Sequence, residues 1–327
     1  MTEGASRFAG SSVLVTGAQG FVGSWLGERL LEGGARVVVP RRDAEPESRF
    51  RAEGVEDRCV IVHADLLDHE ALLRILNEHE VSAVFHLAAQ TIVGTANRSP
   101  LSTFEANVRG TYNLLEACRA LTTIERVVVA SSDKAYGQQD ELPYREDSPL
   151  QPTFPYDVSK ACADLIARSY ATTYQLPIAV TRLANVYGGG DLNWSRIVPD
   201  TAQALARGQR PVIRSDGSPE RDYLYVEDAV DAYLCVAYSL DREELWGRAW
   251  NAGWGVAHSV LEVVQQLIAV SGMGVEPDIQ GEGVPPGEID RQYLDATAMR
   301  DELGWSPSVD LDEGLRRSWA WYRARLA

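Results

Sequence analysis

The sequence predicts an α/β fold, a doubly wound parallel sheet with a smaller C-terminal lobe. Three observations carry this. Short β-branched runs alternate with helical stretches from residue 13 to about residue 185, and strand–helix alternation of this kind builds a parallel sheet covered on both faces. The first run passes at once into a glycine-rich turn and then into a helix with apolar periodicity. At 327 residues the chain is long enough for one large α/β domain with a smaller lobe beside it.

Each element follows from its residues. Val13-Leu14-Val15-Thr16 is a buried strand by its β-branched content. In the turn Gly17-Ala18-Gln19-Gly20-Phe21-Val22-Gly23, the glycines let the backbone approach a pyrophosphate at the N-terminus of the next helix. A second strand over 36–39 ends at Pro40-Arg41-Arg42-Asp43. An acid about 20 residues past the glycines would hold the ribose hydroxyls of NAD, and Asp43 is placed for that. The two arginines before it suit a 2′-phosphate and tip the expectation from NAD toward NADP. Further strands are expected at 59–62, 83–86, 127–130 and 178–182. The helix carrying Tyr156 is expected to run to about residue 174, with Val158, Cys162, Leu165 and Ile166 as its apolar face. Residues 281–287, with Pro285-Pro286, read as a mobile loop over the site.

Ser132 and the segment Tyr156-Asp157-Val158-Ser159-Lys160 carry the chemistry. Tyrosine and lysine four residues apart share one helix face. A phenol loses its proton near pH 10, so activating it by three units takes roughly 4 kcal/mol. One ammonium about 4 Å away, at an effective dielectric of about 20, supplies that much. Ser132 would then hold a substrate hydroxyl while Tyr156 takes its proton, a device for oxidising a secondary alcohol beside a hydride acceptor.

Composition sets bounds. Net charge is −16, which argues against a nucleic-acid or anionic-membrane surface. The four cysteines show no C-x-x-C spacing and the five histidines no ligand cluster, so neither a disulfide frame nor a metal site is indicated. With no apolar run of about 18 residues and no signal peptide, the expected location is cytoplasmic.

The order T-G-x-x-G-x-x-G, then S…Y-x-x-x-K, resembles the extended short-chain dehydrogenase/reductase family over almost the whole chain. The resemblance implies a Rossmann dinucleotide-binding domain over 1–186, rejoined by segments at about 224–253, and a sugar-nucleotide-binding lobe over 187–223 and 254–327. It assigns NAD(P) to Gly17, Gln19, Gly20, Phe21, Val22, Gly23, Arg41, Arg42, Asp65, Leu66, Leu87, Ala88, Ala89, Asn107, Tyr156 and Lys160. It assigns a nucleotide-diphosphate sugar to Gln90, Thr91, Asn185, Asn193, Arg196, Arg221 and Arg291, the last two as grips on the diphosphate. Trp194 would face the nucleotide or join the lobe core. A homodimer is implied through the helix beginning near Thr103 and the Tyr156 helix.

Within the family, Ser132-Asp133-Lys134, Gly23-Ser24-Trp25-Leu26 and Gly188-Gly189-Gly190-Asp191 are similar to sugar-nucleotide 4,6-dehydratases of the CDP-glucose type. These oxidise C4, remove water across C5–C6 and return hydride to C6. Asp133 would then be the acid for the leaving hydroxyl and Lys134 the base for the C5 proton. Arg221-Asp222-Tyr223 is the general pattern of dehydratases and epimerases, the chain is shorter than the CDP-glucose enzymes, and it lacks their insertion between Tyr174 and Arg182. The nucleotide, CDP or GDP or another, stays open. The alternatives are a 4-epimerase using only Ser132, Tyr156 and Lys160, and a dinucleotide sensor that would be expected to lose that set.

Overall fold

The computed structural model describes residues 5–284 and 289–326. Its first strands, all parallel, are β1 (Ser12–Thr16), β2 (Arg36–Arg41), β3 (Val60–His63), β4 (Ala83–His86), β5 (Arg126–Ser132) and β6 (Ile178–Leu183). β7 (Asn185–Tyr187), β8 (Val212–Ile213) and β9 (Glu220–Tyr225) lie outside this sheet, and β10 (Ala249–Ala252) returns to its edge beside β6. The order is β10-β6-β5-β4-β1-β2-β3. The winding reverses between β1 and β4, so the loops that follow these two strands open the crevice where such sheets bind ligands.

Helices α1 (Phe21–Glu32), α2 (Arg49–Ala52), α3 (His69–Glu78), α4 (Val93–Arg98) and α5 (Pro100–Phe104) follow in turn. A π-helical stretch, Glu105–Arg109, leads into α6 (Gly110–Arg119), then α7 (Pro155–Tyr174). Strand side chains alternate between faces. Val13 and Val15 pack with Leu26 and Leu30 of α1, while Leu14 packs with Leu72 and Ile75 of α3 and Leu114 of α6. Helix α8 (Ile197–Ala206), α9 (Val226–Ser239), α10 (Val260–Ser271), α11 (Thr297–Leu303) and α12 (Leu311–Leu326) complete the chain. A third core joins Leu205, Tyr223, Tyr225, Leu267, Leu315 and Tyr322. In a small second sheet, β9 pairs in parallel with β7 and β13 (Arg291–Gln292) and antiparallel with β11 (Ala257–Ser259), and β12 (Asp278–Ile279) pairs with β8 in a separate two-stranded sheet.

One expectation, the inward face of α7, needs correction. The buried side of α7 is Asp157, Ser159, Lys160, Ala161, Ala163, Asp164, Ala167 and Ala171. Val158 and Cys162 are only partly covered and Leu165 is 53 % exposed. Small residues face inward because α7 lies close against β5 and β6. Leu224, in β9, has its side chain in the same core as Val13, Val15 and Leu26, and from Val226 the chain continues as α9, which lies on α1 and β6. Of the expected loop over 281–287, residues 285–287 lie outside the described residues. No helix among the described residues is long and apolar enough to cross a membrane.

Candidate active site

Gly17 sits at φ +72, and a Cβ there would come within 2.7 Å of the Ala88 amide nitrogen. A Cβ on Gly23 would press into the Gly17 carbonyl oxygen. Helix α1 opens at Gly20 with no side-chain cap, so its first amides are left for an anion. Glycines pressed between β1 and the β4 loop, ahead of an uncapped helix, fit a dinucleotide pyrophosphate. Phe21 and Val22 form the helix's first turn. The Gln19 side chain instead bonds the next loop, donating to Asp43 O (2.8 Å) and accepting from the Glu45 amide (3.1 Å). Arg41 pairs with Glu56, and Arg42 pairs with Asp43 on the surface. Asp65 accepts from the Leu67 amide (3.0 Å), and Leu66 packs under Gly110.

The floor of the crevice is held by Thr16, whose hydroxyl accepts from the Leu87 and Ala88 amides (3.1 Å each); Ala89 follows. Asn107, in the π-helical stretch, grips Gln90 at both amide (2.6 Å) and carbonyl (3.1 Å) and donates to Ser159 Oγ (2.8 Å). π-Helical turns recur at functional sites. The Gln90 side chain accepts from the Ile92 amide (2.9 Å), and Thr91 is exposed.

Ser132 ends β5, Tyr156 and Lys160 lie in the first turns of α7, and the packing of the two elements brings them together. Lys160 is buried and donates to the Ala130 carbonyl; burial pulls its ammonium down to about 8. Tyr156 is pushed up to about 12, first by burial, with Asp133 and Asp157 adding to the rise and Arg196 and a Ser132 hydrogen bond opposing it. The Lys160 ammonium is directed at a strand carbonyl, and the positive charge of Arg196 opposes the rise of the Tyr156 pKa.

Around the phenol stand three further groups. Asp133 is buried, accepts from Ser132 Oγ (2.9 Å), and has its second oxygen without a hydrogen-bond partner. Burial raises its pKa against the pull of Lys134 and Arg221. Lys134 Nζ lies 3.4 Å from Gln292 Oε1. Asp157, which no sequence motif marks, is pushed up to about 6 by burial, with Lys134 opposing and Asp133 adding.

The expected substrate residues divide. Arg196 pairs with buried Asp191 (2.9 Å) beside Tyr156. Arg221 is buried and donates to the carbonyls of Glu220 (2.8 Å) and Asp290 (3.1 Å), near Asp133. Arg291 instead pairs with Glu220 at the surface. Asn193 accepts from Ser195 (2.6 Å), and Asn185 lies in β7. Trp194 packs toward Tyr322 in the third core. No group of metal-ligating side chains occurs among the described residues.

Comparison with known proteins agrees with this layout. A family model described as GDP-mannose 4,6 dehydratase matches residues 14–318. A CDP-glucose 4,6-dehydratase of Salmonella typhimurium strain LT2 is 32% identical, covering 96% of this chain and 91% of its own. A UDP-glucose 4-epimerase of Mycolicibacterium smegmatis is 34% identical over 95% of this chain and 98% of its own. The dTDP-glucose 4,6-dehydratase of Streptomyces venezuelae, solved with NAD bound, superposes with a TM-score of 0.85 at 30% identity, over 96% of this chain and 97% of that one. With a seven-stranded parallel sheet, the glycine turn at its switch point and relatives matched end to end, the chain belongs to the extended short-chain dehydrogenase/reductase family of NAD-dependent sugar-nucleotide dehydratases and epimerases.

Proposed function

We propose that the protein is a sugar-nucleotide 4,6-dehydratase that converts an NDP-hexose, CDP-glucose first and GDP-mannose next, to its 4-keto-6-deoxy form. The observation that carries this is Asp133. It is a buried carboxyl whose pKa burial raises, bonded by Ser132 next to Tyr156 and with one oxygen unpartnered, which suits it to hand a proton to a leaving hydroxyl. A simple oxidation and return at C4 has no use for it.

Ser132 orients the C4 hydroxyl and Tyr156 takes its proton, while Lys160 and Arg196 supply positive charge nearby. NAD, which the Gly17–Gly23 turn and the uncapped start of α1 would hold, would supply a hydride acceptor for C4, a hydride donor for C6 and a positive ring charge near the phenol. Once C4 is a ketone the C5 hydrogen is acidic. Lys134 is the base for that proton and Asp133 the acid for the departing C6 oxygen, so water leaves and a C5–C6 double bond forms. The proton held by Lys134 then returns to C5. NAD is preferred here over NADP because Arg41 and Arg42 are already paired with Glu56 and Asp43. The active form is a homodimer joined through α7 and the α5–α6 segment, where Leu165, Leu101 and Tyr112 are exposed.

A second reading, a 4-epimerase, is favoured by the internal partners of the same pair: Ser132 for Asp133 and Gln292 for Lys134. Incubation with CDP-, GDP-, UDP- and dTDP-hexoses in D2O separates the two. The dehydratase gives a product lighter by one water and labelled at C5. Asp133→Asn should slow water loss by about 10²–10⁴-fold while C5 still takes up deuterium, and Lys134→Ala should lose both. An isobaric product with inverted C4, made at undiminished rate by both variants, would establish the epimerase.

A further inference from the structure

One continuous line of hydrogen bonds runs from the glycine-turn strand to the helix of Tyr156, and its direction is fixed. Thr111 Oγ1 lies 2.6 Å from the Asn107 carbonyl oxygen. A carbonyl only accepts, so the Thr111 proton points there and His86 Nε2, 2.9 Å away, must donate to Thr111. His86 is buried and held neutral, pulled down to about 3 by burial and by the Lys160 ammonium. Its Nδ1 therefore bears no proton and accepts from Thr16 Oγ1 at 2.8 Å. Thr16 in turn accepts from the Leu87 and Ala88 amides. At the other end Asn107 Nδ2 donates to Ser159 Oγ, which donates to the Tyr156 carbonyl at 2.6 Å. All five side chains are buried, and each proton along the line has one place to go.

We propose that His86, as the Nε2-protonated tautomer, is a positioning residue that couples the cofactor crevice to the catalytic helix through Thr16, Thr111, Asn107 and Ser159. Thr16 fixes the β4 loop against the glycine turn, and Ser159 lies between Tyr156 and Lys160 on α7. A shift at either end therefore reaches the other through His86. The inference rests on the dinucleotide reading of the Gly17 turn.

The test is a double-mutant cycle on two side chains that do not touch, Thr16→Val and Ser159→Ala, read as the NAD dissociation constant by fluorescence titration. Ser159→Ala, remote from the glycine turn, should weaken NAD several-fold. The double variant should depart from the product of the single effects by about threefold or more, whereas independent sites agree within about twofold. His86→Gln, which keeps a donor and an acceptor, should bind NAD within about threefold of wild type; His86→Phe should lose at least tenfold. Nitrogen-15 NMR of labelled histidine at neutral pH should show His86 protonated at Nε2. Multiplicative single effects, or a proton on Nδ1, would overturn the coupling even if His86→Phe fails to fold. Wild-type protein that binds neither NAD nor NADP would instead overturn the dinucleotide reading, and the coupling with it.

Discussion

Asp157 stands one position past Tyr156, 4 % exposed, with its carboxyl pushed up to about 6 by burial. An aspartate in the unfolded chain ionises near 3.9. Between pH 4 and 6 the unfolded chain therefore releases a proton that the native one keeps, so native stability falls as pH rises through this window and stays lower above it. A carboxyl displaced from near 4 to about 6 carries roughly 3 kcal/mol. Asp157→Asn should flatten urea-midpoint curves between pH 4 and 7 and raise stability at pH 7 by up to about 3 kcal/mol. A variant no more stable than wild type at pH 7 would show that Asp157 is ionised without cost. Sequence spacing could not single out Asp157, because the Y-x-x-x-K pattern treats that position as free. Nor could it place Arg196 beside Tyr156, since the two are 40 positions apart and meet only through the turn held by Asp191. Ser132, Tyr156 and Lys160 were legible because their chemistry demands particular side chains at fixed intervals. The aim of Lys160 was not, since it depends on the Ala130 carbonyl of a packed strand.

Helix α7 shows what local pattern conveys and what it conceals. Its bounds follow from Pro155 at its start and the left-handed Gln175 at its end. The strands were equally plain, as β-branched runs. Its facing was not legible: hydrophobicity alone favours Val158, Cys162 and Leu165 inside, yet the inner seam carries alanines plus Lys160 and Asp164. Asp164 is tolerated there because Arg182 of β6 meets it with two bonds, of 2.8 and 3.0 Å, and Arg182 also donates to Tyr136 Oη (2.8 Å). Tertiary pairing has overridden the apolar stripe, leaving Leu165 outward with Leu101 and Tyr112 nearby in sequence order on α5 and α6. A second copy packed on this face is the occupant proposed above. Leu165→Arg puts a charge at its centre, and sedimentation should show the dimer converted to monomer at micromolar concentration with unchanged circular dichroism. A variant that sediments like wild type would move the interface elsewhere.

The C-terminal helix α12 returns across the molecule to the loop that follows β2. Trp321 Nε1 donates to Glu53 Oε1 (2.7 Å) and Arg325 to the Glu47 carbonyl (2.7 Å). Trp25 of α1 donates to the Gly189 carbonyl (2.8 Å), with the buried Arg49 guanidinium 3.8 Å above its ring. Gly189 has to be glycine, since a Cβ there would meet the Trp321 ring at 2.5 Å. Tyr322, next to Trp321, donates to the carbonyls of Gly188 (3.2 Å) and Asp191 (2.7 Å). The turn that holds Arg196 against Tyr156 is thus clamped from one side by α1 and from the other by α12. These hydrogen bonds join residues more than 130 positions apart, and no local periodicity announces them. Trp321→Ala removes a ring from this clamp and one hydrogen bond. The bond contributes about 1 kcal/mol and the half-buried ring a similar amount. The melting temperature should fall by about 3 °C, measured without ligands. Because the Gly188–Asp191 turn loses the ring packed on Gly189, the KM for the sugar nucleotide should rise several-fold. The NAD dissociation constant should move less, since the glycine turn rests on β1 and the β4 loop rather than on α12. An unchanged KM together with weakened NAD would mean that α12 supports the dinucleotide side instead, and that the Gly188–Asp191 turn holds its shape from α1 alone.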